Sequence, residues 1–353
     1  MARALRLAVA GVGNNISGLL QGAYWYRGLQ ARGETELPGV RQNAIGGVGV
    51  GDIDFVCAFD ADPRKIGQDL TDAVLAEPNN YPRLDVELPQ QGAIVQLGLV
   101  NGGEVTVEDV TKALVDSDAE VLLYSLPTGL QWEAEQYAQA ALGAGVAFVN
   151  CTPEVVARNP EILAAYEKAN VPMVGDDLAS HMGSSMVHRS LLSLFAERGV
   201  TMSSSYQLNF GGNEDFRNLR ENGASKQKSK LNALAQKGIA LDAVEIIPSA
   251  GYISHLKDNK VAVINIEGLG WAGTPVSLDL KLKVQDSSNA AGVIIDLIRV
   301  AAAWRRLGEA GFPIAAASCL KSPAVPHDAL TTFAIDEALS MLNERVAAAA
   351  DRS

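Results

Sequence analysis

The stretch LRLAVAGVGNN, Leu5 to Asn15, decides how the chain is read. From Leu5 to Ala10 every residue but Arg6 is apolar, as in a strand covered on both faces. The run breaks at Gly11, Val12, Gly13, Asn14 and Asn15, and a helical pattern follows from Ile16 to Tyr26. Strand, tight turn, helix is the unit in which backbone amides at the positive end of a helix dipole approach a phosphate. As a dinucleotide fingerprint it is incomplete. Ile16 stands where the third glycine of GxGxxG belongs, and Gly18 comes two positions later.

Working outward, DIDFVCAFD reads as a second strand ending in Asp60, where a carboxylate would accept hydrogen bonds from an adenosine ribose. Asp60 lies well beyond the usual gap of roughly 20 residues, so the polar, glycine-rich segment from Gly28 to Gly51 is read as an insertion. The plainer alternative for Asp60 is an exposed acid at a strand end. EVLLYSLP, VAFVNCTP and VPMVGDD continue the series, with helical windows such as Gln131 to Ala144 between them. Such alternation predicts a doubly wound parallel sheet in an α/β fold. Ligands in these sheets lie beyond the carboxyl ends of the strands, which places Ser125, Thr128, Asn150, Thr152, Asp176 and Asp177 along one edge. The plainer reading of any of them is a residue that terminates a strand.

From about Ser203 the pattern changes. PVSLDLKLKV sets Val276, Leu278, Leu280, Leu282 and Val284 on one face and Ser277, Asp279, Lys281 and Lys283 on the other, the period of a sheet covered on one side. With KVAVINIEG before it, this predicts a mostly antiparallel sheet in an α+β unit. Apolar helices over Ala291 to Leu307 and Ala329 to Ala347 return to the first sheet. The expected organisation is a nucleotide-binding unit over 1–200, a catalytic and oligomerisation unit over 201–299, and a return over 300–353. A length of 353 residues suits two units.

A formal net charge of -12 repels polyanions, so nucleic acid and anionic membranes are excluded as general partners, and any anionic ligand needs a local cationic site. NGASKQKSKLN, Asn222 to Asn232, offers Lys226, Lys228 and Lys230; its ordinary reading is a solvated face. Cys57, Cys151 and Cys319 form no CxxC pair and fit reduced thiols, and the start of the chain lacks a secretory pattern, so a cytoplasmic protein is expected. The four histidines include no pair at metal-binding helical spacing and read as structural.

GVGNN, FVCAFD, YSLPTG, FVNCTP, VPMVGDDLAS, NFGGNEDFRNL, SKQKSK, DNKVAV, DSSNAAGVIIDLIR and LKSP, in this order over nearly the whole chain, resemble the bacterial type of myo-inositol-1-phosphate synthase. The resemblance implies a Rossmann domain binding NAD, a homotetramer built on the second sheet, and redox-neutral conversion of D-glucose 6-phosphate to inositol phosphate. It implies Lys226, Lys230, Lys260 and Lys321 as active-site lysines, with Asp286 beside them. Gly11, Gly13, Asn14, Asn15, Asp60, Ser125, Thr128, Asn150, Thr152, Asp176 and Asp177 would hold the cofactor, and Ser180, Gly183, Ser184, Asn213 and Asp215 the substrate. The family includes metal-assisted members, and a divalent metal or monovalent cation on carboxylate or phosphate oxygens would leave little trace in sequence. Two departures stand out: Ala179 replaces a family lysine, and Lys228 sits in a slightly shortened connection.

The implied chemistry explains the lysines. Oxidation at C5 makes C6 acidic, the enolate attacks the C1 aldehyde, and the remaining ketone is reduced. Each intermediate carries an oxyanion beside a phosphate dianion, which fixed ammonium groups stabilise. On a helix Lys226 and Lys230 would share a side and Lys228 would point away. Asp286 and Asp215 either orient a lysine or cap a helix. The competing functions are a Rossmann dehydrogenase with net turnover of a small carbonyl substrate, and a non-catalytic NAD-binding paralogue.

Overall fold

The computed structural model describes residues 3–219, 234, 241–325 and 332–351. Lys226, Lys228, Lys230 and His327 lie outside the described residues.

The first sheet is built as the alternation predicts. β1 (Leu5–Ala10), β4 (Ile53–Asp60), β5 (Val95–Leu97), β6 (Val121–Tyr124), β7 (Ala147–Asn150) and β8 (Met173–Val174) lie in the order β5-β4-β1-β6-β7-β8, and every pairing is parallel. The order reverses beside β1, so the turn after β1 opens at the topological switch point, where a doubly wound sheet offers its ligand crevice.

Both faces are covered. After the short α2 (Leu70–Ala73), α3 (Val107–Asp116), α4 (Gln131–Ala144) and α5 (Pro160–Lys168) pack on one face around Leu122, Tyr124, Tyr137 and Phe148. On the other face lie α1 (Asn14–Ala31) and a helix from the far end of the chain, α7 (Asp286–Arg306), with Leu7, Val9, Leu123, Ile294 and Ile298 between them. Each such buried aliphatic side chain contributes about 1.5–3 kcal/mol of transfer free energy. α8 (Thr332–Ala350) closes the same side through Leu339 and Leu342.

Two boundaries and the role of one glycine differ from the sequence reading. α1 runs to Ala31, so the insertion before β4 is shorter than Gly28 to Gly51, and it contains a small hairpin of β2 (Ala44–Ile45) and β3 (Val48–Gly49). The hairpin is tied down by Arg299 of α7. This buried guanidinium donates to Asp296 at 2.6 Å and to the carbonyls of Gln42, Asn43 and Val48. Second, α7 begins at Asp286 instead of Ala291, so DSSNA forms its first turn. Third, Gly18 serves helix–helix contact: a Cβ there would lie 3.3 Å from the carbonyl oxygen of Ser287 on α7.

The second sheet has the order β10-β9-β11-β12, from β9 (Thr201–Gly211), β10 (Val244–Tyr252), β11 (Asn259–Leu269) and β12 (Pro275–Gln285). β11 is antiparallel to β9 and β12, while β10 joins β9 in parallel, so the sheet is mixed. α6 (Ser184–Glu197) covers one face with Leu192 and Phe195 against Ile246, Ile264 and Ile266. The apolar side chains of β12 are only half-buried, because the strand lies at the sheet edge beyond this helix.

Candidate active site

A cleft of about 450 Å3 lies between the carboxyl ends of the first sheet and the near end of the second. Gly11 forms its floor with φ +93°. A Cβ there would come within 2.6 Å of the Ser125 carbonyl oxygen, so only glycine fits. Gly13 faces open space and is the N-cap of α1 without a side-chain cap bond, and the first turn of α1 has no acidic residue. α6 also points its N-terminus into the cleft, at Gly183, Ser184 and Ser185, again without a side-chain cap at Gly183 or a first-turn acid. α7 differs. Asp286 occupies its first turn and Asp258 accepts the Ser287 amide at 3.1 Å. Among the described residues, the helix N-termini of α7 and of the stretch 214–219 already carry carboxylates, and those of α1 and α6 suit anions.

Charged side chains form two pairs on the opposite walls. Lys321 Nζ donates to Asp177 Oδ1 at 2.6 Å, and Lys260 Nζ to Asp286 Oδ1 at 3.0 Å; both lysines and both carboxylates line the cleft. Lys321 follows the segment that pairs with residues 176–178: Ser322 and Asp176 exchange backbone hydrogen bonds, and the Lys321 amide donates to the Asp177 carbonyl. Lys260, the second residue of β11, lies over the Phe216 ring at 5.7 Å. That ring lies so close to Gly211 that a Cβ there would be 2.1 Å away, which is why the strand ends in a glycine. The lysine side chains are 18% (Lys260) and 13% (Lys321) exposed, enough contact with the cleft for a ligand oxygen to replace a carboxylate partner.

Behind the pairs stands a carboxylate that sequence reasoning did not single out. Asp258, fully buried, accepts from Asn14 Nδ2 at 3.0 Å, from Asn213 Nδ2 at 3.4 Å, and from both the amide and hydroxyl of Ser287. Burial raises its pKa, with the neighbouring charge of Asp286 acting in the same direction. Asn14 also accepts from the amides of Asn80 and Tyr81, and Asn80 donates to the Gly212 carbonyl. One asparagine of the glycine turn is thereby fastened to the second sheet. Position gave one available signal, since Asp258 lies two residues before Lys260 in DNK.

Most of the sequence candidates meet in this cleft. Gly11, Gly13, Asn14, Asn15, Asp60, Ser125, Thr128, Thr152, Asp177, Ser180, Gly183, Ser184, Asn213, Asp215, Lys260, Asp286 and Lys321 all line it. Asn150 and Asp176 are not among its lining residues. Both are fully buried. Asp176 accepts from Asn150 and from the amides of Val156, Ala157 and Arg158, and its burial raises its pKa. They hold the wall that carries Thr152 and Asp177.

Asp286 is the first residue of α7, with Gln285 as N-cap; its carboxylate is turned to Lys260 and to Asn213 Nδ2 at 3.3 Å. Asn213 is itself a cap, accepting the Phe216 amide of the helical stretch 214–219.

A second residue missed in the sequence is Lys65. Its buried ammonium donates to the Val12 carbonyl at 2.7 Å and to Asn79 Oδ1 at 3.1 Å, and burial lowers its pKa. His188 is a structural histidine between Gln207 and Ser205, whereas His181 and His255 are exposed. Burial raises the thiol pKa of Cys57 to about 11 and of Cys319 to about 12, and raises that of Cys151 as well. None of the three is an activated nucleophile. Among the described residues no group of three or more His, Cys, Asp or Glu gathers to hold a metal, and no helix is long and apolar enough to cross a membrane.

Comparison with known proteins gives a consistent picture. A family described as myo-inositol-1-phosphate synthase matches residues 183–287. The inositol-3-phosphate synthase of Mycolicibacterium smegmatis is 39% identical over 341 residues, covering 90% of this chain and 93% of that protein. The inositol-3-phosphate synthase of Corynebacterium glutamicum is 40% identical, with the same coverage. The crystal structure of a protein called Ari2 superimposes with a TM-score of 0.89 at 60% identity, over 97% of this chain and 99% of that one. A Thermotoga maritima protein related to myo-inositol-1-phosphate synthase, at 23% identity and a TM-score of 0.70 over 91% of this chain and 93% of that one, shares the fold.

Proposed function

The chain belongs to the myo-inositol-1-phosphate synthase family, and from that premise we propose that it is an NAD-dependent cyclase converting D-glucose 6-phosphate to 1D-myo-inositol 3-phosphate without net redox change. The observation that carries the reading is the meeting of Lys260 and Lys321 in the same cleft as the Gly11–Gly13 turn. A plain dehydrogenase needs one acid–base group beside its hydride acceptor, and two carboxylate-held ammonium groups exceed that need.

The residues present suit a dinucleotide. The uncapped N-terminus of α1 and the open face of Gly13 would receive a pyrophosphate, with Asn15, Ser125, Thr128 and Thr152 along the path to the lysines. NAD, when bound, supplies a hydride acceptor at C5 and returns the hydride in the last step. Ser184 and the first amides of α6 would take the substrate phosphate. Lys321, released from Asp177, would stabilise the oxyanion at C5, and Lys260, released from Asp286, the oxygen at C1. Lys226 is assigned removal of the C5 hydroxyl proton and Lys230 the phosphate, as the family resemblance implies. A divalent or monovalent cation on phosphate oxygens is compatible with the scheme, and the family resemblance carries with it a homotetramer, which light scattering would test.

Incubation with NAD and glucose 6-phosphate, followed by periodate release of phosphate, tests the function. Product without accumulation of NADH supports a closed redox cycle. Accumulating NADH supports the dehydrogenase, and tight NAD binding without product supports a non-catalytic paralogue. Ala179 favours one second reading, the same cyclisation on another sugar phosphate. Its backbone is held against Cys319 at the cleft wall, and a methyl group stands where the family resemblance sets a cation. The same assay with other hexose phosphates separates the two.

A further inference from the structure

Asp60 was the expected reader of the adenosine ribose, yet its oxygens are largely engaged. Oδ2 accepts the Val12 amide at 2.6 Å, and Oδ1 accepts the amides of Ala61 and Asp62 at 2.8 and 2.9 Å. The carboxylate is buried and anchors the glycine turn to the end of β4. Lys65 cannot supply a mobile cation here, because its ammonium is fixed on Val12 and Asn79.

Two positions beyond Asp60, the side chains at the cleft rim are a matched pair. Arg64 Nε lies 2.9 and 3.1 Å from the two oxygens of Asp62, and Nη2 lies 2.6 Å from Oδ2. The Arg64 amide donates to the same carboxylate at 3.0 Å. The Asp62 side chain is 18% exposed and that of Arg64 56%, and both line the cleft.

A guanidinium free to turn at this position would grip a phosphate monoester with two parallel hydrogen bonds, the arrangement by which arginines near this strand end accept a 2′-phosphate. Held on Asp62, the fork is occupied and its charge compensated. A 2′-phosphate would then meet the carboxylates of Asp60 and Asp62, whereas a 2′-hydroxyl can donate to either.

Building on the dinucleotide reading of the cleft, we propose that Asp62 determines cofactor specificity: by holding Arg64 it sets the site for a dinucleotide with a free 2′-hydroxyl and against one carrying a 2′-phosphate. Arg64 is mostly exposed at the cleft rim, and an ion pair of this kind contributes little to stability, so its removal reads out recognition with the fold intact.

Fluorescence titration with NADH and NADPH tests this directly. The wild-type chain is expected to prefer NADH. Asp62→Ala should tighten NADPH by about tenfold, the scale of a charged hydrogen bond gained, and weaken NADH by no more than about tenfold, the scale of one 2′-hydroxyl hydrogen bond lost. Asp62→Ala combined with Arg64→Ala should lose that gain. If Asp62→Ala proves unstable, Asp62→Asn, which removes the charge and keeps the turn, reads the same ratio. An unchanged ratio in the single variant, a gain that survives loss of Arg64, or a wild-type chain that binds NADPH as well as NADH overturns the proposal. Failure of the wild-type chain to bind either nucleotide would instead sink the dinucleotide reading, and this inference with it.

Discussion

The two walls of the cleft are made in different ways. The wall from the first sheet is mostly backbone, with glycines without side chains, helix amides and strand-end hydroxyls on strands buried on both faces, and it carries the ion pair of Lys321 with Asp177. The wall from the second sheet recognises through charge, with Lys260, Asp286 and Asn213 held on a mixed sheet that only one helix covers. The difference shows how labour is divided. On the proposed reading, a backbone cradle would suit a cofactor retained through the cycle, and ion pairs able to exchange a carboxylate for a ligand oxygen would suit a substrate whose charge changes at each step.

The largest expected effect separates the walls. Lys260→Ala should lower kcat by about 10²–10³, the usual cost of one preorganised donor to an oxyanion, and leave NADH affinity intact. Equal losses in both would mean that the walls do not work independently.

Next comes the converse variant. Gly11→Ala forces a Cβ into the Ser125 carbonyl at a φ of +93°, with strain of about 3 kcal/mol. NADH binding should be lost in titrations and the unfolding midpoint lowered. Unchanged binding would show that the turn is not the cofactor floor.

The smallest effect concerns the joint between the walls. Asp258→Asn presents an amide to hydrogen-bond donors from Asn14, Asn213 and Ser287, and should cost on the order of 1 kcal/mol in denaturant unfolding. The pH dependence sharpens the test. Because burial raises the pKa of Asp258 in the folded chain, the folded state holds that proton more tightly than the unfolded state. Wild-type stability therefore falls as pH rises from 3.8 through the raised value, a slope that Asp258→Asn should lack.

The parallel strands were legible because burial on both faces demands continuous apolar runs, and FVCAF, VLLY and AFVN have no other economical reading. Helix ends were less so. DSSNA looks like a polar lead-in, but Asp258 and Lys260 give its first turn tertiary partners, so the helix starts at Asp286. Asn150 and Asp176 share the look of cleft residues with Thr152 and Asp177. What separates them is which way the chain turns after each strand, and no local pattern encodes that. Asp258 and Lys65 were missed for the same reason: a charged residue beside a strand reads as solvated until the opposite element is in place.

Sequence by itself determined the doubly wound sheet, the glycine turn at its switch point and the change to a one-sided sheet downstream, because periodicity and glycine stereochemistry act over a few neighbouring residues. Tertiary structure alone decided which charges face each other. Lys321 meets Asp177, Lys260 meets Asp286, and Asp258 fastens Asn14, because these contacts span long stretches of chain and depend on how the two sheets pack together.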